Sequence, residues 1–261
     1  MTTPLIDTHL HLNLLPQPLE AVAEARALGV GAWVVPGVRI DQWHELMRVV
    51  GEIPGAWAAP GVHPLDAAAW NVDDRQKLTA LAAQPQVVAI GEVGLDRHVA
   101  TPMQTQLAVF CEMIQLAKEL KLPLLLHCRD CIGKLLEVLK QQGANEVGGI
   151  FHAFSGSLEV ARQLIDLGFV LGIGGVATYP EAKRLHEVVR QLPDEALVLE
   201  TDAPDMTPHP YRGQINQPAN LMLVAQQVAA LRGWSLETLR EVTSRNACRI
   251  LPRLALNAGS I

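Results

Sequence analysis

Eight short apolar runs recur along the whole of this chain, about 20–35 residues apart, and the stretches between them read as helix or connecting loop. The first run holds Leu5 and Ile6, and the second covers residues 31–37 and ends in the Pro36-Gly37 turn. The others fall at 57–64, 87–96, 123–127, 149–152, 169–173 and 196–202. Helices are expected over 18–27, over 41–50, and from an Asp73 cap to Ala82. A longer one is expected from Thr101, with Pro102 at its first position, to about Leu120. Two amphipathic helices follow the last run, at 218–231 and 236–247, the second capped by Ser235. Strand–helix alternation at this spacing predicts parallel strands, and the count of eight predicts a closed α/β barrel of the TIM type rather than an open sheet. Nothing resembling a linker or low-complexity stretch interrupts the rhythm, so residues 1–261 are expected to form a single domain.

With 49% hydrophobic residues but only 4% aromatics, the chain has the means for a sizeable core made mostly of Ala, Leu and Val. A net charge of −6 excludes a general basic footprint, so a nucleic acid would have to be held locally rather than by the field of the whole protein. Four cysteines form no evident disulfide framework. Cys128-Arg129-Asp130-Cys131 fits the C-x-x-C pattern of redox motifs, although the neighbouring His127 offers a better reason for the segment, and small, buried, reduced thiols are the ordinary alternative. The beginning of the chain shows no basic-then-apolar leader, and no apolar run reaches the ~18 residues a membrane span needs. The expectation is a cytoplasmic setting, with no membrane and no obligate protein partner.

Barrel enzymes place their chemistry at the C-terminal ends of the strands. Read there, the sequence offers His9 and His11 on the first strand, His63 on the third, Glu92 on the fourth, His127 on the fifth, His152 on the sixth and Asp202 on the eighth. Five of the nine histidines fall at strand ends, and scattered surface histidines would not do that. His9 and His11 stand two residues apart, which in an extended strand points both rings to one side. Each residue alone has an ordinary reading: Glu92 a loop carboxylate, Asp202 a helix cap, His127 or His152 a satisfied core histidine. Barrel closure brings them to one mouth, which makes a metal centre of His9, His11, Glu92, His127, His152 and Asp202 the common explanation. A set of nitrogen and carboxylate donors without thiolate suits Zn or Mn better than an all-oxygen Mg cage. Six ligands are too many for one tetrahedral zinc, so two divalent ions (Zn, Mn or Mg) are expected. Glu92 would then sit between them, with His9, His11 and Asp202 on one side and His127 and His152 on the other. Asp202 is also a candidate base for the attacking water.

These motifs together resemble the TatD family of metal-dependent deoxyribonucleases, within the amidohydrolase-like barrels. The resemblance is carried by Asp7-x-His9-x-His11, Gly61-x-His63-Pro64, Gly91-Glu92-x-Gly94-Leu95-Asp96, His127-Cys128-Arg129, His152-x-Phe154-Ser155-Gly156 and Glu200-Thr201-Asp202-Ala203-Pro204. It continues through Arg212-Gly213, Asn216-x-Pro218 and Asn246. It implies a β/α barrel, divalent cations, and hydrolysis of phosphodiesters by removal of nucleotides from DNA 3′ ends. The same six metal ligands carry over. His63 and Arg129 become candidates for holding phosphate, Arg129 equally for supporting a ligand. Departures fall in loops that would meet substrate. Arg97-His98 replaces an aromatic pair, the loop after the eighth strand reads Asp205-Met206-Thr207-Pro208-His209, and Ile215 stands where a basic residue is usual. A second reading therefore stays open, a barrel hydrolase of a small amide, lactone or phosphoester; a third, a non-catalytic metal- or partner-binding protein, predicts decayed ligands, and here none is missing.

Overall fold

The structure, a computed structural model, describes residues 3–257. Its strands are β1 (Leu5–Asp7), β2 (Val30–Pro36), β3 (Ala56–Ala59), β4 (Ile90–Asp96), β5 (Leu124–Arg129), β6 (Gly149–Phe151), β7 (Phe169–Ile173) and β8 (Leu197–Leu199). All pair in parallel and in chain order, β1 to β3 in one run and β4 to β8 in another. Two seams close them into a barrel. Ala58 and Val87 bridge β3 to the approach to β4, and Thr8 donates its backbone N–H to the Leu199 carbonyl at 3.0 Å between β1 and β8.

The helices alternate with the strands: α1 (Pro18–Ala27), α2 (Trp43–Glu52), α3 (Val72–Ala82), α4 (Met103–Leu120), α5 (Ile132–Gln141), α6 (Leu158–Asp166) and α7 (Lys183–Gln191). After β8 come α8 (Leu221–Arg232), α9 (Leu236–Ile250) and α10 (Pro252–Asn257). The expected barrel is therefore present, with differences at element ends. Asn71, not Asp73, caps α3, its side-chain oxygen accepting from the N–H groups of Asp73 and Asp74. Helix α4 starts one residue later than expected, because Pro102 is the cap and the Thr101 hydroxyl donates to the Leu65 carbonyl instead. Ser235 caps α9 as expected.

Two apolar layers follow from strand alternation. Ile6, Val34, Ala59, Leu125, Ile150, Val170 and Val198 fill the barrel interior, while their neighbours, such as Leu124, Leu126, Leu197 and Leu199, pack outward against the helices. The interior is closed at the N-terminal ends of the strands by Ala247 and Ile250 of α9, Leu254 of α10 and Leu251 between the two helices. Polar side chains lock that plug: Ser244 donates to the Pro4 carbonyl, Arg240 to Leu28 and Gly29, and Asn246 to Asp194 and Leu197. Asn246, late in the motif series, thus serves the end of the barrel opposite the mouth.

Candidate metal centre

The alternation that fills the interior also delivers the site. Leu125 faces inward, so His127 and Arg129 on β5 follow it, and Ile150 and Val198 direct His152 and Glu200 inward in the same way. Strand β4 breaks the rule. Gly91 pairs with Leu125 and Val93 with Leu126, leaving Glu92 as an extra residue opposite none. Ile90 and Val93 both pack in the outer layer, so Gly91 and Glu92 between them both face the barrel. Close approach of chains makes this possible: a Cβ on Gly61 would lie 2.5 Å from the carbonyl carbon of Gly91.

His9 and His11 do converge, with ring centroids 5.3 Å apart, but not by riding an extended strand. Ile6 already faces inward, so a continued strand would turn Thr8 to the mouth. Strand β1 stops at Asp7, and a bend brings His9 in, with His11 at the start of a 3-10 turn over Leu12–Leu14. The buried Asp7 carboxylate holds this crossing together. It accepts from the Thr201 N–H at 3.0 Å, the Thr201 hydroxyl at 2.6 Å and the His9 N–H at 3.4 Å, fixing the segments that carry His9 and Asp202 to each other. Burial pushes the Asp7 carboxyl up to about 8. Strands β3, β6 and β8 likewise stop short of the expected ends, so His63, His152 and Asp202 stand on the loops just beyond them.

Glu92 is the hub. Its Oε2 faces His9 Nε2 at 3.5 Å and His11 Nε2 at 3.9 Å. Its Oε1 faces His127 Nδ1 at 2.6 Å, His152 Nε2 at 3.4 Å and His63 Nε2 at 3.9 Å. Asp202 Oδ1 lies on the first side, 3.7 Å from His9 and 3.5 Å from His11. Asp202 adopts a left-handed backbone, with φ of 58°, and the following loop is tied down by Asn216, whose side chain donates to the Thr201 and Asp205 carbonyls. Two triads, His9–His152–Asp202 and His9–His11–Glu92, bring one donor atom from each member within 4.8 Å of the others. A third joins His63, Glu92 and His127.

His63 differs from its neighbours in one respect. Its Nδ1 accepts the Leu65 N–H at 3.1 Å, so the neutral ring carries its proton on Nε2 and offers the mouth a donor rather than a lone pair. Burial lowers its basicity to a pKa of about 4, which keeps it in that neutral form. Arg129 ends β5 at the rim, exposed, and its side chain makes no hydrogen bond or ion pair among the described residues.

The charge balance fits divalent cations. Burial alone would raise Glu92, but His127, His9 and His152 hold it well below its usual range, and Asp202 is lowered against burial by His152, His11 and His9. His9 is lowered by burial and by His152, and neither of its ring nitrogens has a hydrogen-bond partner although the residue is fully buried. His11 Nδ1 is equally unpartnered. Two carboxylates held in the ionised form beside buried imidazoles, with His9 and His11 nitrogens left unpartnered, form a donor set that matches nitrogen- and oxygen-binding metals.

Two carboxylates escaped sequence reasoning. Asp96 Oδ2 stands 3.3 Å from His127 Nε2, behind the face that His127 turns to Glu92. Glu200 Oε1 stands 3.3 Å from His152 Nδ1 and accepts the Ala153 N–H at 2.6 Å. Space for Glu200 exists only because residue 172 is glycine: a Cβ there would meet Glu200 Oε2 at 2.0 Å. Both carboxylates lay in the quoted motifs, and the signal that would have singled them out is the pairing of a buried acid with each histidine. On α7, His186 Nε2 meets the Ala177 carbonyl at 2.9 Å.

A closed parallel barrel with such a cluster at its mouth is the architecture of a metal-dependent hydrolase. The chain belongs to the TatD related DNase family, whose signature it matches over residues 6–252. It is 41% identical over 250 residues to YabD of Bacillus subtilis (strain 168), an uncharacterised metal-dependent hydrolase, covering 94% of this chain and 98% of that one. Identity to the 3′-5′ ssDNA/RNA exonuclease TatD of Klebsiella pneumoniae (strain 342) is 37% over 235 residues, 87% of this chain and 89% of the relative. Among solved structures, YjjV of Escherichia coli K12, a TatD homologue, superposes with a TM-score of 0.90 at 31% identity, covering 97% and 99% of the two chains. No helix among the described residues is long and apolar enough to cross a membrane.

Proposed function

We propose that this hydrolase removes nucleotides from the 3′ ends of nucleic acid, using two divalent cations, Zn, Mn or Mg, held at the barrel mouth. The observation that carries the reading is the division of the Glu92 carboxylate, one oxygen toward His9 and His11 and the other toward His127 and His152. His9, His11 and Asp202 would hold one ion, His127 and His152 the other, and Glu92 both. When bound, the ions supply Lewis-acid activation of a water and neutralise phosphate charge. Asp202 Oδ1, ionised and beside the same imidazoles, accepts the proton of the attacking water. His63 donates from Nε2 to a phosphate oxygen, and Arg129 at the rim pairs with a phosphate as a bidentate donor. Orientation is supplied by Asp7, Asp96 and Glu200, each holding a ligand or the segment that carries it. The nucleic acid is held locally, in keeping with the net charge of −6.

The reading extends to the whole chain as one hydrolase domain, since its last helices plug the barrel that β1 begins. A cytoplasmic setting goes with four cysteines that carry no disulfide. The test is an assay of 5′-labelled single-stranded DNA and RNA beside a panel of small phosphodiesters, amides and lactones, with each metal added separately. Stepwise release of nucleotides from the 3′ end is expected. Turnover of a lactone or amide with no nucleotide release would overturn the reading.

A further inference from the structure

The C-x-x-C segment has no part in the proposed chemistry, yet its geometry is specific. Cys128 lies on β5 with its side chain on the outward face, between the inward-facing His127 and Arg129. Cys131 is the N-cap of α5, one loop later. Their sulfurs lie 3.5 Å apart, in contact across the loop, while Cys131 Sγ also donates to the Leu95 carbonyl at 3.2 Å. Both line a cleft of about 200 Å³, together with Asp130, Phe154 and Arg184. That volume admits a small hydroperoxide but is tight for a tripeptide disulfide. Arg184 spends one donor on the Ser155 carbonyl and has others to offer an oxygen in the cleft.

We infer that Cys128 and Cys131 form a peroxide-oxidisable dithiol that closes to a disulfide in the folded protein. The half-buried Cys128 sulfur meets the peroxide first. It attacks one peroxide oxygen, the O–O bond breaks, and the other oxygen leaves as water or alcohol after taking the thiol proton, giving a sulfenic acid at Cys128. Cys131 Sγ then attacks the Cys128 sulfur, forming the S–S bond and expelling the hydroxyl, which leaves as water with the Cys131 proton. The two thiols lose two electrons and the peroxide gains them. Closure brings sulfurs from 3.5 Å to the ~2.05 Å of a disulfide, and costs the contact from Cys131 to Leu95. The remaining cysteines, Cys111 and Cys248, lie on α4 and α9 and make no sulfur–sulfur contact. This inference does not depend on the proposed nuclease activity.

The experiment treats the folded, full-length protein with hydrogen peroxide in small excess, quenches by alkylation and counts thiols by peptide mass spectrometry. Free thiols should fall from four to two, with a Cys128–Cys131 disulfide formed at least tenfold faster than any oxidation of Cys111 or Cys248, and dithiothreitol should restore all four. Cys131→Ser should leave Cys128 as a sulfenic acid trapped by dimedone, with no internal disulfide. A Cys111→Ser/Cys248→Ser protein should behave as the parent, which guards against disulfides formed after unfolding. Four free thiols after treatment, oxidation of all cysteines at equal rates, or Cys128 passing to sulfinic acid without a disulfide would each overturn the inference.

Discussion

Replacing Glu200 with Gln tests whether the acid behind His152 sets the affinity of the metal centre. The side chain is 1% exposed and stands 3.3 Å from His152 Nδ1, so it acts on that ring through little intervening solvent. At this distance and an effective dielectric of ~20, a full charge pair is worth about 5 kcal/mol, which is the ceiling on the effect. A metal-bound imidazole carries only part of a positive charge. Loss of a carboxylate partner behind a histidine ligand accordingly costs roughly 10- to 100-fold in metal affinity, about 1.4–2.7 kcal/mol. Against the effect of burial, Asp202, Glu200 and Glu92 raise the His152 pKa to about 10. Calorimetric titration of Zn²⁺ and Mn²⁺ into parent and Glu200→Gln proteins should show the loss, with the circular dichroism unchanged. Gly172→Ala should reproduce it from the other side, since its Cβ would enter the volume of Glu200 Oε2. Parental affinity in folded Glu200→Gln protein would refute the positioning role.

Glu92→Gln keeps the size of the hub but removes its charge; binding of a second ion should be lost and activity should fall by orders of magnitude, checked by elemental analysis and turnover on one preparation. Asp202→Asn keeps an oxygen for the metal but loses the base, so the rate should drop by ~10²-fold or more while metal content holds. Loss of metal in step with rate would make Asp202 a ligand alone. Asn246→Ala removes two hydrogen bonds, a partly buried one at 2.6 Å to the Asp194 carbonyl and a buried one at 2.8 Å to the Leu197 carbonyl. Leaving them unpaired costs about 2–5 kcal/mol, and at roughly 2–4 °C per kcal/mol calorimetry should show a Tm lower by about 4–20 °C. Turnover well below that temperature should be unchanged, because the residue lies at the opposite end of the barrel from the mouth.

The fold was legible because each strand is an apolar run bounded by turn residues, and a run buried on both faces looks the same wherever its ends fall. For that reason the ends were misread. The segments 60–63 and 200–202 are as apolar or as buried as strand, but their backbone groups pair across the mouth, as in the bond from Asp202 N–H to the His9 carbonyl at 2.8 Å. Ladder partners define a strand, and partners are long-range. The Asp73 cap failed for a more local reason: Asn71, two residues earlier, has an amide oxygen placed to take both free N–H groups of the first turn.

The candidate ligands were legible in a different way, through their chemistry rather than their geometry. His127 and His152 obey the period of their strands, so counting from Leu125 or Ile150 places them correctly. His9 and Glu92 do not. Counting from Ile6 puts Thr8 at the mouth, and counting from Ile90, an outward residue, turns Glu92 outward as well. A chain bend and an inserted residue correct these two positions, and both corrections serve the residues on which the centre converges. A strand that kept strict alternation through residue 92 would be the better strand, with its full ladder, and would send the hub carboxylate into the apolar layer against the helices. The departure from regular structure at β4 is therefore what lets one carboxylate face both sets of histidines, and restoring the register by deleting a single residue there would remove the site while leaving a barrel to fold.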